Sequence, residues 1–328
     1  MVGRAVCLGE ILIECFAEQA QTPRSEVESW VPLPGGAMAN VACALVKLTG
    51  GADFVGAVGS DAWGDALLKL LDDMGVGRSG VQRRLKAPTR QVYLLKDDSS
   101  DEYTFAGFSE SDPASFADAH LFADSLIDGQ LSSAAFLVLG TLLLAYPDAR
   151  QSVNRAVELS QAAQVPIFMD VNWRAPFWPQ PKEAPGRVYD LLKSVQYLKV
   201  SEDEADWLFG TRSPQVIAKQ LPYLKGVLMM AGDGCHYSFQ GVDGSVPSFD
   251  VDVEDERGAS EAFTAGFVHQ LMHRGLSCVL DRHAAHEAVV YASAVSALTQ
   301  TRPGAIAALP TAKEVDVFLY LNKPHYSD

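Results

Sequence analysis

Ala134-Ala135-Phe136-Leu137-Val138-Leu139-Gly140 and Val165-Pro166-Ile167-Phe168-Met169-Asp170-Val171 are two short apolar runs, and Pro147–Ala163 between them carries a helical apolar pattern. A continuous apolar run of this length suits a strand buried on both faces. The intervening segment is long enough for a helical crossover, which joins parallel strands. The unit reads as strand, helix, strand, with the polar Asp170 at the carboxyl end of the second strand.

The same alternation runs outward in both directions. Further strand candidates are Ala5–Ile13, Asp53–Val58, Gln196–Val200, Gly226–Ala231 and Cys235–Gln240. Helix candidates are Met38–Leu48, Trp63–Met74, Ala184–Lys193, Glu202–Phe209, Ala262–Arg274 and a final His283–Leu298. This order predicts an α/β domain with a mostly parallel sheet covered by helices on both faces. Arg90–Lys96 and Glu102–Phe108 break the rhythm as two strand-like runs around the polar turn Asp97–Asp101. With extended chain from Ile13 to Val31 they predict a small separate sheet able to cover a site. We expect one domain over 1–328, with a lid from about 13–33 and 88–108.

Composition narrows the partners. The 328 residues hold 26 Lys and Arg against 41 Asp and Glu, a formal charge of −15. Such a balance disfavours nucleic acid and anionic membranes. The longest apolar stretch, Ala134 to Tyr146, is short of the roughly 20 residues of a membrane span. Five scattered cysteines without a C-x-x-C pair fit a reducing cytoplasm better than a disulfide framework. His269 and His273, and His283 and His286, share helical faces without a third ligand, and read as surface residues.

No G-x-x-x-x-G-K-[ST] loop, G-x-S-x-G elbow or H-E-x-x-H helix is present. Four other segments carry chemistry. Pro34-Gly35-Gly36-Ala37-Met38-Ala39-Asn40 opens a helix with paired glycines, so backbone amides can approach a ligand or simply form a tight turn. Asp255-Glu256-Arg257-Gly258-Ala259-Ser260-Glu261 opens another helix with a carboxylate in its first turn. Donors there stabilise developing negative charge, and the carboxylate can take a proton; ordinary helix N-terminal chemistry would use the same residues. Asp170-Val171-Asn172-Trp173-Arg174 ends a strand, where open parallel sheets bind ligands. Ser201-Glu202-Asp203-Glu204 reads as an N-cap with acidic first turn, or as a carboxylate beside hydrated magnesium.

In this order and spacing the four segments resemble the ribokinase (PfkB-type) family of sugar kinases over nearly the whole chain. Leu8–Ile13, Gly35–Asn40 with Phe54–Gly64, Asp170–Arg174 with Phe177-Trp178, and Leu198–Glu204 with Trp207–Gly210 are similar to its cyanobacterial and plant fructokinase branch. The resemblance implies a three-layer α/β/α sandwich with a β-lid, pairing of two copies through their lids, and MgATP-dependent phosphorylation of a ketohexose, fructose first. It implies Glu261 as the base, with Gly258, Ala259 and Ser260 around the transferring phosphoryl group. Glu14, Gly35, Gly36, Asn40, Phe105 and Arg174 would hold the sugar. Ser201, Met230, Gly232 and Gly234 would lie at the nucleotide, and Glu204 would support hydrated Mg2+.

The chain also departs from the family pattern. The second signature reads D-T-T-G-A-G-D, so Glu261 replaces the catalytic Asp, Ser260 a glycine, and Glu256-Arg257 the threonines. Glu14 replaces the sugar-binding Asp, and Met230 a threonine. One methylene moves the base by a C–C bond, and a misplacement of about 1 Å can lower a rate about a hundredfold. The alternative is therefore a weakened fructokinase-like pseudokinase that binds sugar, nucleotide or a partner. On sequence alone, Glu261→Asp with Ser260→Gly is expected to raise turnover.

Overall fold

The computed structural model describes residues 3–49, 51–96, 103–123 and 128–322. The expected turn at 97–101, with Glu102, lies outside the described residues. In chain order the strands are β1 (Ala5–Leu8), β2 (Leu12–Ala17), β3 (Trp30–Gly35), β4 (Ala52–Gly59), β5 (Gly77–Arg84), β6 (Gln91–Lys96), β7 (Tyr103–Phe108), β8 (Phe136–Leu139), β9 (Ile167–Asp170), β10 (Tyr197–Ser201), β11 (Gly226–Ala231), β12 (Gly234–Phe239) and β13 (Val242–Pro247). The helices are α1 (Ala37–Thr49), α2 (Ala62–Met74), α3 (Asp128–Ser132), α4 (Pro147–Ala162), α5 (Ala184–Leu192), α6 (Glu202–Phe209), α7 (Pro214–Gln220), α8 (Ala259–Arg274), α9 (Arg282–Gln300), α10 (Ala305–Ala308) and α11 (Ala312–Leu321).

The main sheet runs β13-β12-β11-β10-β9-β8-β1-β4-β5. Its pairs are parallel from β5 through β11, and β12 and β13 join antiparallel. Side chains alternate across a strand, and the core divides accordingly. Cys7, Phe136, Val138, Phe168 and Tyr197 pack on one face with Phe263, Phe267 and Val295 of α8 and α9. Leu8, Leu137, Leu139, Met169, Leu198 and Val200 pack on the other with Val153 and Val188 of α4 and α5. The layers are those of a ribokinase-like α/β/α sandwich.

Several boundaries moved for identifiable reasons. The apolar run Ala5–Ile13 is not one strand, because β1 stops at Leu8 and the chain leaves the main sheet before β2. The carboxylate of Glu10, buried at this crossing, accepts the Ala37 N–H at 2.7 Å, which fixes the break against the start of α1. Strands β5 and β13 have mixed polar sequences and lie at the two ends of the sheet, so they lack the apolar run of a central strand. Helix α9 is not the last, since α11 follows with a Thr311–Glu314 capping box.

A second sheet runs β3-β2-β6-β7. At its root Arg90 and Asp118, both buried, form a two-pronged ion pair at 2.7 Å on each prong. The Arg90 guanidinium also donates to Tyr146 Oη at 3.1 Å, and its carbonyl accepts the Ile13 N–H. A fully buried arginine is tolerated only with such pairing. Among the described residues no helix is long and apolar enough to cross a membrane. The five cysteines are buried and free.

Candidate active site

The carboxyl ends of β9 and β10, the start of α1, the second sheet and the start of α8 meet at one place. On the side of α1, Gly36 has φ 106°, and a Cβ there would stand 2.5 Å from the Glu10 carbonyl. Only glycine makes this turn without strain. A Cβ on Gly35 would stand 2.7 Å from Cδ of Glu14, so the missing side chain is what lets the Glu14 carboxylate lie against the turn. Asn40 is buried one turn into α1, and its Oδ1 has no partner among the described residues. A buried amide oxygen in that state is what a ligand hydroxyl would satisfy.

Burial raises Glu14 to a pKa of about 7; the nearby Glu261 adds to the rise, while Arg257 and Arg174 oppose it. Burial likewise raises Glu10 to about 7. Arg174 is exposed, and its charge reaches both Glu14 and Glu261. Arg257 forks onto Asp255 at 2.5–2.9 Å and lies 4.3 Å over the Phe16 ring of β2. Phe105 is 39% exposed, with Phe108 at 4.9 Å and Phe177 at 6.3 Å between ring centres.

On the side of β10 to β12, Ser201 and Met230 are register partners across the β10–β11 pair. A Cβ on Gly232 would meet open space, whereas Gly234 has φ 139° and a Cβ there would collide with the Val246 carbonyl. Folding of the β12–β13 pair by itself therefore calls for glycine at 234. Ser201 caps α6, and Glu204 completes the box. Glu204 Oε2 accepts the Ser201 N–H at 2.8 Å and Oε1 the Trp173 N–H at 2.7 Å. This one carboxylate ties the loops after β9 and β10 together. Burial, with Asp170 nearby, raises its pKa. The Trp173 and Trp207 rings stack beside it at 4.3 Å.

Between the two sides lies the turn opening α8. Gly258 is its left-handed N-cap at φ 78°, pressed against Ala305. The Ala259 N–H turns back to the Glu256 carbonyl at 3.3 Å, so of the three expected donors this one already has an internal partner. Glu261 is buried, and Asn172 Nδ2 donates to its Oε1 at 3.3 Å. Burial raises the Glu261 pKa, Lys199 opposes the rise, and Asp170 adds to it. Ser260 is exposed at the start of the helix. Its Oγ meets Lys199 Nζ at 2.6 Å.

A buried carboxylate, a helix-start turn and an unsatisfied amide thus gather at the carboxyl edge of a parallel sheet. The pfkB family carbohydrate kinase model matches residues 3–312. The chain belongs to the pfkB family of carbohydrate kinases.

It is 34% identical over 315 residues to fructokinase-1 of Zea mays, covering 94% of this chain and 95% of that protein. With fructokinase-1 of Oryza sativa it shares 33% over 323 residues, 96% and 98% of the two chains. The crystal structure of a Xylella fastidiosa fructokinase with bound ATP superposes with a TM-score of 0.88 at 26% identity, covering 99% of this chain and all of that one. The pfkB fold and kinase class expected from the sequence are those found, and the pseudokinase alternative gains no support from these relatives.

Sequence reasoning gave Asn172 no role of its own within the strand-end segment it singled out, and passed over Lys199, Thr264 and Glu10 as site residues. Asp170 and Lys199 continue the alternation of β9 and β10, which turns both toward α8. A charged pair at those strand ends was the available signal.

Proposed function

We propose that this pfkB-family chain phosphorylates a ketohexose, fructose first, at the expense of ATP. The observation that carries this reading is the buried Glu261 carboxylate at the mouth of α8, in reach of charges from the Glu14 side. The sugar lies between Glu14, Gly35, Gly36, Asn40, Arg174 and the aromatic edge at Phe105, with the second sheet as a lid over it. The nucleotide lies along Ser201, Met230, Gly232 and Gly234.

Glu261 takes the proton of the attacking hydroxyl as its oxygen bonds to the γ-phosphorus. The bond from that phosphorus to the β–γ bridging oxygen breaks, and ADP leaves. The amides of Gly258 and Ser260 at the helix start face the negative charge that builds up. Positioning and electrostatics supply most of what this chemistry requires.

Among the described residues no group of three or more His, Cys, Asp or Glu side chains could hold a metal alone. Mg2+ would arrive with the nucleotide, held largely by phosphate oxygens and water. Glu204 fits an outer position, because each of its oxygens already accepts one backbone N–H and keeps a lone pair for a water. When bound, the ion would supply neutralisation of phosphate charge. We further assign the protein to the cytoplasm as a homodimer paired through its second sheet. The test is a coupled ADP-release assay over a panel of hexoses with MgATP. Turnover on fructose above the other sugars supports the reading, and none on any ketohexose rejects it.

A further inference from the structure

The residue that departs from the family signature at 260 is exposed, but its hydroxyl is tied to a buried ion pair below the turn. Lys199 Nζ lies 2.7 Å from Asp170 Oδ2 and 2.6 Å from Ser260 Oγ, and Lys199 and Asp170 are each 2% exposed. The same Asp170 oxygen accepts the Thr264 hydroxyl at 3.0 Å. Ser260 and Thr264 are four residues apart, so they share one face of α8. Lys199 and Asp170 are register partners on adjacent strands. Two side chains of the first helical turns are thus fastened to the ends of two core strands.

Glu261, between them in sequence, meets Asn172 from the opposite side of the turn. The charges around it are Lys199 from β10, Asp170 from β9, Arg174 from the loop after β9, and Glu10 and Glu14 from the strand β1–β2 region. Glu204 of α6 couples to Asp170 and Lys199. Carboxylates outnumber cations in this set, and Lys199 is the buried cation among them.

We propose that Lys199 is a positioning residue for phosphoryl transfer, which fastens the α8 turn through the Ser260 hydroxyl and sets a buried cation near the base. This rests on the kinase reading above. The serine is then a tether rather than a glycine lost.

The test uses the full chain with Lys199→Met, Ser260→Ala and the double variant. Lys199→Met is expected to lower kcat on the order of ten- to hundredfold with KM for fructose and ATP nearly unchanged. The acid limb of its kcat–pH profile should move to higher pH, because the cation opposing protonation is gone. Ser260→Ala should lower kcat without moving that limb, since the charge remains. The double variant should match Lys199→Met, because both singles cut one link. Additive losses with an unmoved acid limb would overturn the proposal. Should Lys199→Met fold poorly with Asp170 left unpaired, Ser260→Ala still reads the tether. Hydrogen exchange at the amides of Ala262 to Thr264 should quicken in it, and unchanged exchange there rejects the tether. A parent without turnover on any sugar would count against the kinase reading alone, because the exchange measurement does not depend on activity.

Discussion

The side-chain amide of Asn172 donates to Oε1 of Glu261 at 3.3 Å, across 89 positions of chain. Asn172 holds φ 37°, a conformation that asparagine tolerates better than most residues. The strained backbone at the end of β9 is thus spent on aiming one donor at the proposed base.

That contact makes the base testable in two ways. Glu261→Gln should lower kcat by about 10²–10⁴-fold with a small change in KM. Asn172→Asp keeps the backbone preference but sets a second carboxylate against Glu261, so protonation becomes easier. The acid limb of its kcat–pH profile should shift upward, read by steady-state rates across pH at saturating substrates.

The Glu204 carboxylate receives two backbone N–H groups from separate loops. Glu204→Gln replaces one acceptor by a donor that faces an N–H. The expected loss is about 1–2 kcal/mol of stability, measured by denaturant unfolding. If the outer-sphere role holds, a Mg2+ titration of turnover will also show a higher requirement for the ion.

Phe108 touches Phe105 and Phe177 at 4.9 Å each between ring centres, and the Arg90 guanidinium at 5.2 Å from its ring centre. Phe108→Ala should raise KM for fructose roughly tenfold through a loosened cover while leaving KM for ATP near its starting value. Equal changes in both constants would argue against a lid that acts on the sugar side. Sedimentation of the same variant reads whether the second sheet also pairs two copies.

Glu10 and Glu14 make stability depend on pH with a definite sign. Each has a folded pKa of about 7 against an ordinary value of 4.5, so between those values the folded state binds more protons than the unfolded one. Stability therefore falls as pH rises through that window. The ligand-free protein should lose Tm between about pH 4.5 and pH 7, and Glu10→Gln, which keeps an acceptor for Ala37, should lose less. Scanning calorimetry of the two proteins across the window measures the difference.

Ser260→Gly alone should lower kcat, opposite to what the family signature suggests, since it removes the hydroxyl that Lys199 holds. The measurement is kcat on fructose for this single variant beside the parent.

The sheet and its helices could be read because central strands are apolar on both faces, as at Phe136–Leu139, and because proline, glycine and caps marked the helix ends. The end strands Gly77–Arg84 and Val242–Pro247 were illegible for the converse reason, being partly exposed and mixed in composition. Of the proposed site, the turns at Gly35–Asn40 and Gly258–Glu261 stood out through glycine and helix-start chemistry. The Lys199–Asp170–Thr264 network did not, because it joins three elements whose register no local pattern gives. His269, expected at the surface, is buried against Tyr291, and its pKa falls to about 4 through burial. Helical spacing places its face but not what packs there.

The Trp173–Trp207 stack makes the protein its own optical probe. Two indoles 4.3 Å apart couple electronically, and one of them hangs from the backbone amide that Glu204 holds. Any small movement of that loop will change their overlap and so the emission and the near-ultraviolet circular dichroism. If the proposed nucleotide site beside Glu204 is correct, its filling can therefore be followed in real time without a label.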